Sequence, residues 1–224
     1  MVALPSTVTN QLSMEFNDYR APLWWDEACE FLSKDLFLGD KVRMFDDVKM
    51  VSRGKLFETL IRSIVGQQIS VTAADSIWSR FVNLVGEVTP ESILLREAEE
   101  IAGCGITRPK TGYILGLAKD SEDLLNFDWS RSDEAVMKHL VKFRGIGPWT
   151  AEMVMMFSLL KPDLFSIGDI ALIRSCKELN PKLETKEEIV EFAKSSATLI
   201  ISLCVETSTS EVERRRQVGR VCVG

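Results

Sequence analysis

The chain has 224 residues, 46% of them hydrophobic and 27% charged, so it can bury one substantial core or two smaller ones. No apolar run reaches the roughly 18 residues that a membrane span needs, and the N-terminus lacks the basic and apolar regions of a signal peptide. The net charge of −6 and the pI of about 5.1 argue against a nucleic-acid partner, because most such proteins are basic.

Helical periodicity runs through the first half of the chain. The adjacent Trp24 and Trp25 point to different faces of a helix, so at least one of them is expected in the core. Gly66, followed by residues 67–70, interrupts the pattern between two strong helices. Thr89 is a good N-cap, with Pro90 in the first helical position. The expected helices span residues 23–38, 55–65 and 71–85, a short segment from Pro90, 97–101 and 109–119, with a loop or short helix at 39–49.

A more informative pattern occupies residues 133–170: a helix, a glycine turn, a second helix and then a lone aspartate. In the turn (RGIG, residues 144–147), two glycines allow backbone angles closed to other residues and remove side chains that would block a close approach. Pro148 suits the start of the second helix, where its missing N–H costs nothing. The apolar face of the first helix consists of Val136, Leu140 and Phe143.

The remaining segments complete a helical pattern. Residues 120–130 predict a linker anchored by Phe127 and Trp129, and Ser132 begins the next helix. No sustained period-2 alternation is present, so the chain is predicted to be all-α. Two further helices are expected at residues 170–178 and 185–194.

The five cysteines and the single histidine restrict the chemistry. The odd number and scattered positions of the cysteines predict reduced thiols in a cytosolic protein rather than a disulfide framework. Their spacing does not suit an iron–sulfur or zinc site. With His139 as the only histidine, neither a His-based triad nor a His-rich metal site is expected, and no side-chain metal site is predicted.

The chain resembles the helix-hairpin-helix (HhH-GPD) DNA glycosylase superfamily of base-excision repair, and within it the 3-methyladenine DNA glycosylase II-like branch. The resemblance covers about residues 55–195. It implies two helical subdomains with a cleft for DNA and the damaged base between them. The motif residues are Leu140-x-x-Phe143-x-Gly145-Ile146-Gly147-Pro148-Trp149-Thr150-Ala151, Asp163-Leu164-Phe165-Ser166-Ile167-Gly168-Asp169, Gly66-Gln67-Gln68-Ile69-Ser70 with Ala73-Ala74, and Cys104-Gly105-Ile106-Thr107-Arg108-x-Lys110.

The domain prediction follows the same resemblance. Residues 1–206 are expected to form one helical glycosylase domain, with the hairpin motif at about residues 133–160. Residues 195–224 depart from the family, because they lack the aromatic and arginine cluster that usually closes its last helix. The polar segment 207–224 is expected to be a disordered tail.

The resemblance implies that the hairpin binds a DNA phosphate. The main-chain amides of Gly145, Ile146 and Gly147, with those of Trp149 and Thr150 at the helix start, can point at one phosphate whatever the overall charge. The structural alternative is an ordinary tight connection between two packed helices. Affinity is expected to be modest and to weaken sharply with salt. Basic residues in or beside the DNA-facing segments are Arg53, Lys55, Arg62, Arg108, Lys110, Lys142 and Arg144.

The loop at residues 67–70 is expected to fill the gap that a flipped-out nucleotide leaves in the minor groove. Gln68, Ile69 and Ser70 are the candidates for this plug. The alternative is a helix-to-helix turn whose glutamines cap backbone groups.

A base pocket is expected at Trp149. Alkylated purines are flat cations, which an aromatic face attracts by stacking and cation–π contact. The alternative for any tryptophan is a core position, which we favour for Trp24, Trp25 and Trp78.

Asp169 is the predicted catalytic residue. Cleavage of an N-glycosidic bond builds positive charge on the sugar, and a nearby carboxylate stabilises that charge and can position or deprotonate water. The alternative is an N-cap for the helix that follows, and both roles can hold at once. Asp128, Asp133 and Asp163 are weaker candidates and are expected to be caps.

Position 149 also bears on mechanism. Family members that cut the DNA strand carry a Schiff-base lysine there, whereas this chain has tryptophan. The resemblance therefore implies hydrolysis alone, without an iron–sulfur cluster. It separately implies that a monovalent Na+ or K+ ion binds at the hairpin carbonyls. It also implies a monomer that acts on damaged double-stranded DNA in the cytoplasm or nucleoid, away from membranes.

The predicted function is a monofunctional glycosylase that releases alkylated purines such as 3-methyladenine and 7-methylguanine. Three alternatives stay open at this point: a related glycosylase for a mismatched or oxidised base, a non-catalytic hairpin module that only binds DNA, and a helical interaction protein, which the acidic pI favours.

Overall fold

The computed structural model describes residues 21–34, 39–44, 51–52, 54–162, 164–168 and 170–195. Within these ranges the chain is helical without β-strand, which confirms the predicted all-α class. None of the helices described is both long enough and apolar enough to cross a membrane. The helices are α1 (Trp25–Leu32), α2 (Gly39–Met44), α3 (Leu56–Gly66), α4 (Val71–Val85), α5 (Pro90–Leu94), α6 (Ala98–Gly103), α7 (Arg108–Lys119), α8 (Ser121–Leu125), α9 (Asp133–Leu140), α10 (Pro148–Phe157), α11 (Ile170–Leu179) and α12 (Lys186–Ser195).

The chain divides into two compact units, in line with the two helical subdomains that were expected. The second unit contains α3 to α10, and α3 lies at its centre, in contact with α4, α7 and α10. Leu60, Ile61 and Ile64 of α3 are fully buried, as are Ala151 and Val154 of α10. This packing fixes the start of α10, where the glycine turn ends.

The first unit contains α1, α2, α11 and α12. Its helices α11 and α12 pack through a small core that includes Cys176 and Ile189. The indole N–H of Trp24 donates a hydrogen bond to the carbonyl of Leu160 at 3.0 Å. Both Trp24 and Trp25 are buried, which confirms that at least one of the pair belongs to the core.

Local signals placed most of the helices correctly. α4 has the predicted bounds, and the side chain of Ser70 accepts the amide of Ala73 at its start. The Thr89 hydroxyl accepts the amide of Ser92, which confirms that cap. The Ser132 hydroxyl accepts the amide of Ala135, so Ser132 caps α9, and the prediction that Asp133 is a cap was wrong because Asp133 is the first helical residue.

Two predictions of local structure were wrong or only partly right. The predicted linker contains the one-turn helix α8, which forms because its Leu124 is completely buried. α1 ends at Leu32 rather than at residue 38. The predicted tail, residues 207–224, lies outside the described residues and stays a prediction. The cleft between subdomains also stays a prediction.

Candidate nucleic-acid interface

The connection between α9 and α10, residues 141–147, is referred to below as the hairpin turn. The amide of Ile146 donates to the carbonyl of Phe143 at 3.0 Å, which closes the turn. Both side chains are buried, with exposed fractions of 4% and 5%. Ile146 therefore anchors the turn in the core. Its N–H was predicted to point at a DNA phosphate, but the Phe143 carbonyl accepts it instead.

The two glycines of the hairpin turn have different roles. Gly145 has a φ of +95°, and a Cβ there would come within 2.6 Å of the Tyr113 ring, so both its backbone angle and its surroundings require glycine. Gly147 has a φ of −87°, and no atom lies within 4 Å of the position that a Cβ would take. The prediction that both glycines adopt special backbone angles is therefore right for Gly145 and wrong for Gly147, where glycine leaves the outer surface bare.

The start of α10 suits an anion. Gly147 is its N-cap and offers no side-chain cap, and the first turn contains no acidic residue. The first amides of any α-helix lack partners within the helix and form the positive end of its dipole. Pro148 and Trp149 are exposed, whereas the Thr150 side chain is buried. Thr150 can therefore offer its main chain, not its hydroxyl, to a ligand outside.

The loop at residues 67–70 lies against the hairpin turn. The side-chain amide of Gln67 donates to the carbonyl of Gly145 at 2.8 Å, so a glutamine does cap a backbone group here, as the structural alternative proposed. Gln68 has a φ of +58°, an uncommon conformation for a residue other than glycine. Gln68, Ile69 and Ser70 are all exposed, and Ser70 also caps α4. The structure thus brings the predicted anchor and the predicted plug together.

The tryptophans occupy two kinds of environment. Trp149, the predicted pocket residue, is 47% exposed on the first turn of α10. Trp78 is partly buried between Phe81, whose ring centroid lies 5.8 Å away, and the guanidinium of Arg62 at 5.6 Å. A core position is therefore confirmed for Trp24 and Trp25 but only partly for Trp78.

Several basic side chains that were expected near DNA are engaged within the protein. Lys110 donates to two main-chain carbonyls, at 2.9 and 2.6 Å, and its burial lowers its pKa. Arg144 lies over the Tyr113 ring, with 5.6 Å from its guanidinium carbon to the ring centroid, and its side chain stays exposed. Arg53 lies outside the described residues. Three others of these basic residues form ion pairs: Lys55 with Glu87, Arg62 with Asp75 at 3.2 Å, and Lys142 with Asp123 at 3.9 Å.

His139 lies on α9, buried among aromatic side chains. Its ring stacks on Phe127 with centroids 3.8 Å apart and meets Trp129 and Phe143 edge-on. Burial, and then the nearby Lys142 ammonium, lower the pKa of His139. Only 3% of the His139 surface is exposed.

Asp163 and Asp169 both lie outside the described residues. α11 begins at Ile170, the residue after Asp169. Catalysis and capping by Asp169 both stay predictions. Among the described residues, no group of three or more histidine, cysteine or acidic side chains could hold a metal ion.

Sequence reasoning missed Lys110 as a cap of α3, and it did not identify Gly145 as the partner of a capping glutamine. Gln67 was read as part of the plug segment, and Lys110 as a charge for DNA. Their partners lie 78 and 43 to 45 positions away in the chain, so no local pattern could have revealed the contacts.

Comparison with known proteins identifies related chains. Residues 61–197 match the family model described as HhH-GPD superfamily base excision DNA repair protein. The chain is 32% identical over 185 residues to a DNA-3-methyladenine glycosylase of Bacillus subtilis, covering 73% of this chain and 60% of that protein. It is 36% identical over 150 residues to the DNA-3-methyladenine glycosylase of Saccharomyces cerevisiae, covering 60% and 50%.

A solved structure extends the similarity to the fold. The Schizosaccharomyces pombe 3-methyladenine DNA glycosylase in complex with abasic DNA aligns with a TM-score of 0.66 at 25% identity, covering 82% of this chain and 97% of that one. This chain spans 60% and 50% of the lengths of the two curated relatives above. The range 61–197 includes the hairpin turn, the 67–70 loop and position 169.

Proposed function

This chain belongs to the HhH-GPD superfamily of base excision DNA repair proteins, and we propose that it is a monofunctional DNA glycosylase for alkylated purines of the 3-methyladenine and 7-methylguanine class. It would act as a monomer on damaged double-stranded DNA inside the cell. Two relatives named DNA-3-methyladenine glycosylase, and a third solved with abasic DNA, support this substrate class.

The observation that best supports the proposal is the bare start of α10 beside an exposed loop. Gly147 contributes no side chain there, and no acidic residue of the first turn opposes an anion. The 2.8 Å hydrogen bond from Gln67 to Gly145 keeps the 67–70 loop next to this anion site. A strand bound through its phosphate would therefore lie beside Ile69, which can enter the gap left by an extruded base.

Asp169 would stabilise the reacting sugar. In the proposed step the bond between the base and the anomeric carbon breaks, and the base leaves with the bonding electrons. Water then adds its oxygen to that carbon and gives up a proton, so an abasic sugar remains. A carboxylate offsets the positive charge on the sugar and can accept the proton. A cationic base is already a good leaving group, so the reaction needs no dedicated acid.

Trp149 supports both the substrate class and the absence of strand cleavage. Its exposed ring offers a flat face for an alkylated base, and such a face attracts a delocalised cation. The same position holds no lysine, so no amine is available there for a Schiff base with the sugar. We therefore expect release of the base without a nick.

We also propose that a monovalent ion, Na+ or K+, binds the carbonyls of the hairpin turn. The carbonyls of Phe143 and Gly145 each accept one hydrogen bond, from Ile146 and Gln67, so each oxygen keeps a second lone pair. A bound cation would supply positive charge that offsets the DNA phosphate. Replacing Na+ and K+ by a large organic cation at constant ionic strength should weaken binding to abasic DNA.

The direct test is incubation with a methylated DNA duplex, followed by identification of the freed bases by liquid chromatography. We expect release of methylated purines and an intact strand that breaks only after alkali treatment. Release of an oxidised or mismatched base instead would contradict the substrate class. Binding to abasic DNA with no base released from any duplex would make the protein a binding module.

A further inference from the structure

The last turn of α3 is capped by a lysine from another helix. The ammonium of Lys110, on α7, donates to the carbonyls of Val65 at 2.9 Å and Gln67 at 2.6 Å. Carbonyls at a helix C-terminus lack partners within the helix, and a cation there also complements the helix dipole. The start of the 67–70 loop is thereby tied to α7.

The same face of α7 supports the hairpin turn. Tyr113 lies one turn beyond Lys110, and its ring lies so close to Gly145 that a Cβ would come within 2.6 Å. The Arg144 guanidinium covers the ring, at 5.6 Å from its centroid. α7 therefore contacts both the loop and the hairpin turn, through two side chains one turn apart.

Gln67 completes a closed set of contacts. Its main-chain carbonyl accepts Lys110, and its side-chain amide donates to Gly145 at 2.8 Å. The same amide nitrogen lies 3.5 Å from the hydroxyl of Thr150, on the first turn of α10. The loop, the hairpin turn and α7 are thus linked pairwise, so none of the three can move alone without losing a contact.

We propose that Gln67, Lys110 and Tyr113 are positioning residues that hold the plug loop and the phosphate anchor at a fixed separation. Phosphate binding and insertion of the loop then occur together rather than independently. The inference rests on the proposed function, because it assigns the spacing of two parts of the same DNA site. It predicts that loss of the hydrogen bond from Gln67 to Gly145 lowers the preference for abasic over undamaged duplex more than it lowers overall affinity for DNA.

The first test replaces Gln67 by methionine, which keeps the size and removes the donor. We expect the ratio of Kd for undamaged duplex to Kd for abasic duplex to fall roughly fivefold, the size expected for one lost hydrogen bond. Kd for undamaged duplex should change little. Asn83→Leu removes an exposed amide from α4 and should leave both constants unchanged. Tyr113→Phe keeps the supporting ring and should also retain the ratio, whereas Tyr113→Ala should lower it.

A double-mutant cycle tests the coupling itself. In the otherwise native chain, Ile69→Ala and Gly147→Ala each change Kd for abasic duplex by some factor. The change in the double variant should differ from the product of these two factors by roughly threefold or more. With Q67M in the background the two effects should multiply. Should Q67M fail to fold by circular dichroism, Gln67→Asn replaces it, because the shorter side chain keeps the amide but cannot span to Gly145.

The outcomes separate this inference from the proposed function. An unchanged ratio in the folded Gln67 variant, or multiplicative effects already in the native background, would overturn the positioning role while base release continued. A native protein that neither prefers abasic DNA nor releases methylated bases would contradict the proposed function itself.

Discussion

Two turns of the second unit have a similar backbone conformation but different side chains. Gly105 and Gly145 have φ values of +92° and +95°, and each is followed by a buried isoleucine. Each turn leads into a helix with proline in its first turn. The turn that contains Gly105, residues 104–107, is called the second turn below. There Arg80 donates to the Cys104 carbonyl at 2.8 Å. An arginine thus closes that turn from the side.

The difference lies at the residue that begins the next helix. Thr107 occupies that position in the second turn, whereas Gly147 occupies it in the hairpin turn. One glycine in place of a side chain leaves the helix amides of α10 approachable. We infer that the backbone conformation alone does not make an anion site, and that the residue at the helix start determines whether an anion can approach.

The largest expected effect is a difference in stability between alanine variants of Gly145 and Gly105, the positive-φ glycines of these two turns. Gly145→Ala should lower the free energy of unfolding by roughly 3 kcal/mol, because a methyl group would overlap the Tyr113 ring in a backbone region that disfavours alanine. Gly105→Ala should cost about 1 to 2 kcal/mol, because its nearest neighbour is the flexible end of Arg80. Urea unfolding measures both. Equal losses in the free energy of unfolding for the two variants would contradict the different surroundings of Gly145 and Gly105.

The next effect concerns binding rather than stability. Gly147→Thr gives the hairpin turn the residue that the second turn has, and we expect Kd for abasic duplex to rise about tenfold with stability nearly unchanged. Gly147→Ala should have a smaller effect of the same sign. Gly116→Ala is the control, because a Cβ there also meets open space, but on α7. Unaltered affinity in G147T would contradict a main-chain anchor.

The smallest effect is a difference in pH dependence. Burial lowers the pKa of His139, beside the hairpin turn, so the unfolded chain binds the proton more readily and stability should fall as pH drops below about 6.5. Burial raises the pKa of the Cys104 thiol, in the second turn, so stability should fall as pH rises above about 9. In urea unfolding, His139→Phe should reduce the acid-side loss. Cys104→Ala should reduce the alkaline-side loss, to which Cys176 also contributes because burial raises its pKa to about 11. A variant with the native pH profile would contradict its assignment.

Sequence patterns predicted the parts of this fold that depend on neighbours in the chain. α4 lies where helical periodicity placed it, and its ends are also local, because Ser70 caps it and Gly86 follows it. The Thr89 and Ser132 caps are equally local. α8 was missed because its helical turn depends on burial of one leucine, which a short polar stretch does not reveal.

The candidate site likewise has parts that local sequence predicted and parts that depend on the fold. The hairpin turn and the 67–70 loop could be found by motif, but the 2.8 Å contact between them joins residues 78 apart. The different needs for Gly145 and Gly147 depend on what lies around each, which only the fold provides. Motif resemblance alone selected Asp169.

The central claim is that a main-chain anchor holds DNA while Asp169 acts on the sugar of an extruded nucleotide. Single-turnover base release from methylated duplex, measured for Asp169→Asn beside its Kd for abasic duplex, tests this claim most directly. The account predicts a loss of release by roughly a thousandfold or more, with Kd changed by less than about threefold. Base release at the native rate by D169N would contradict it.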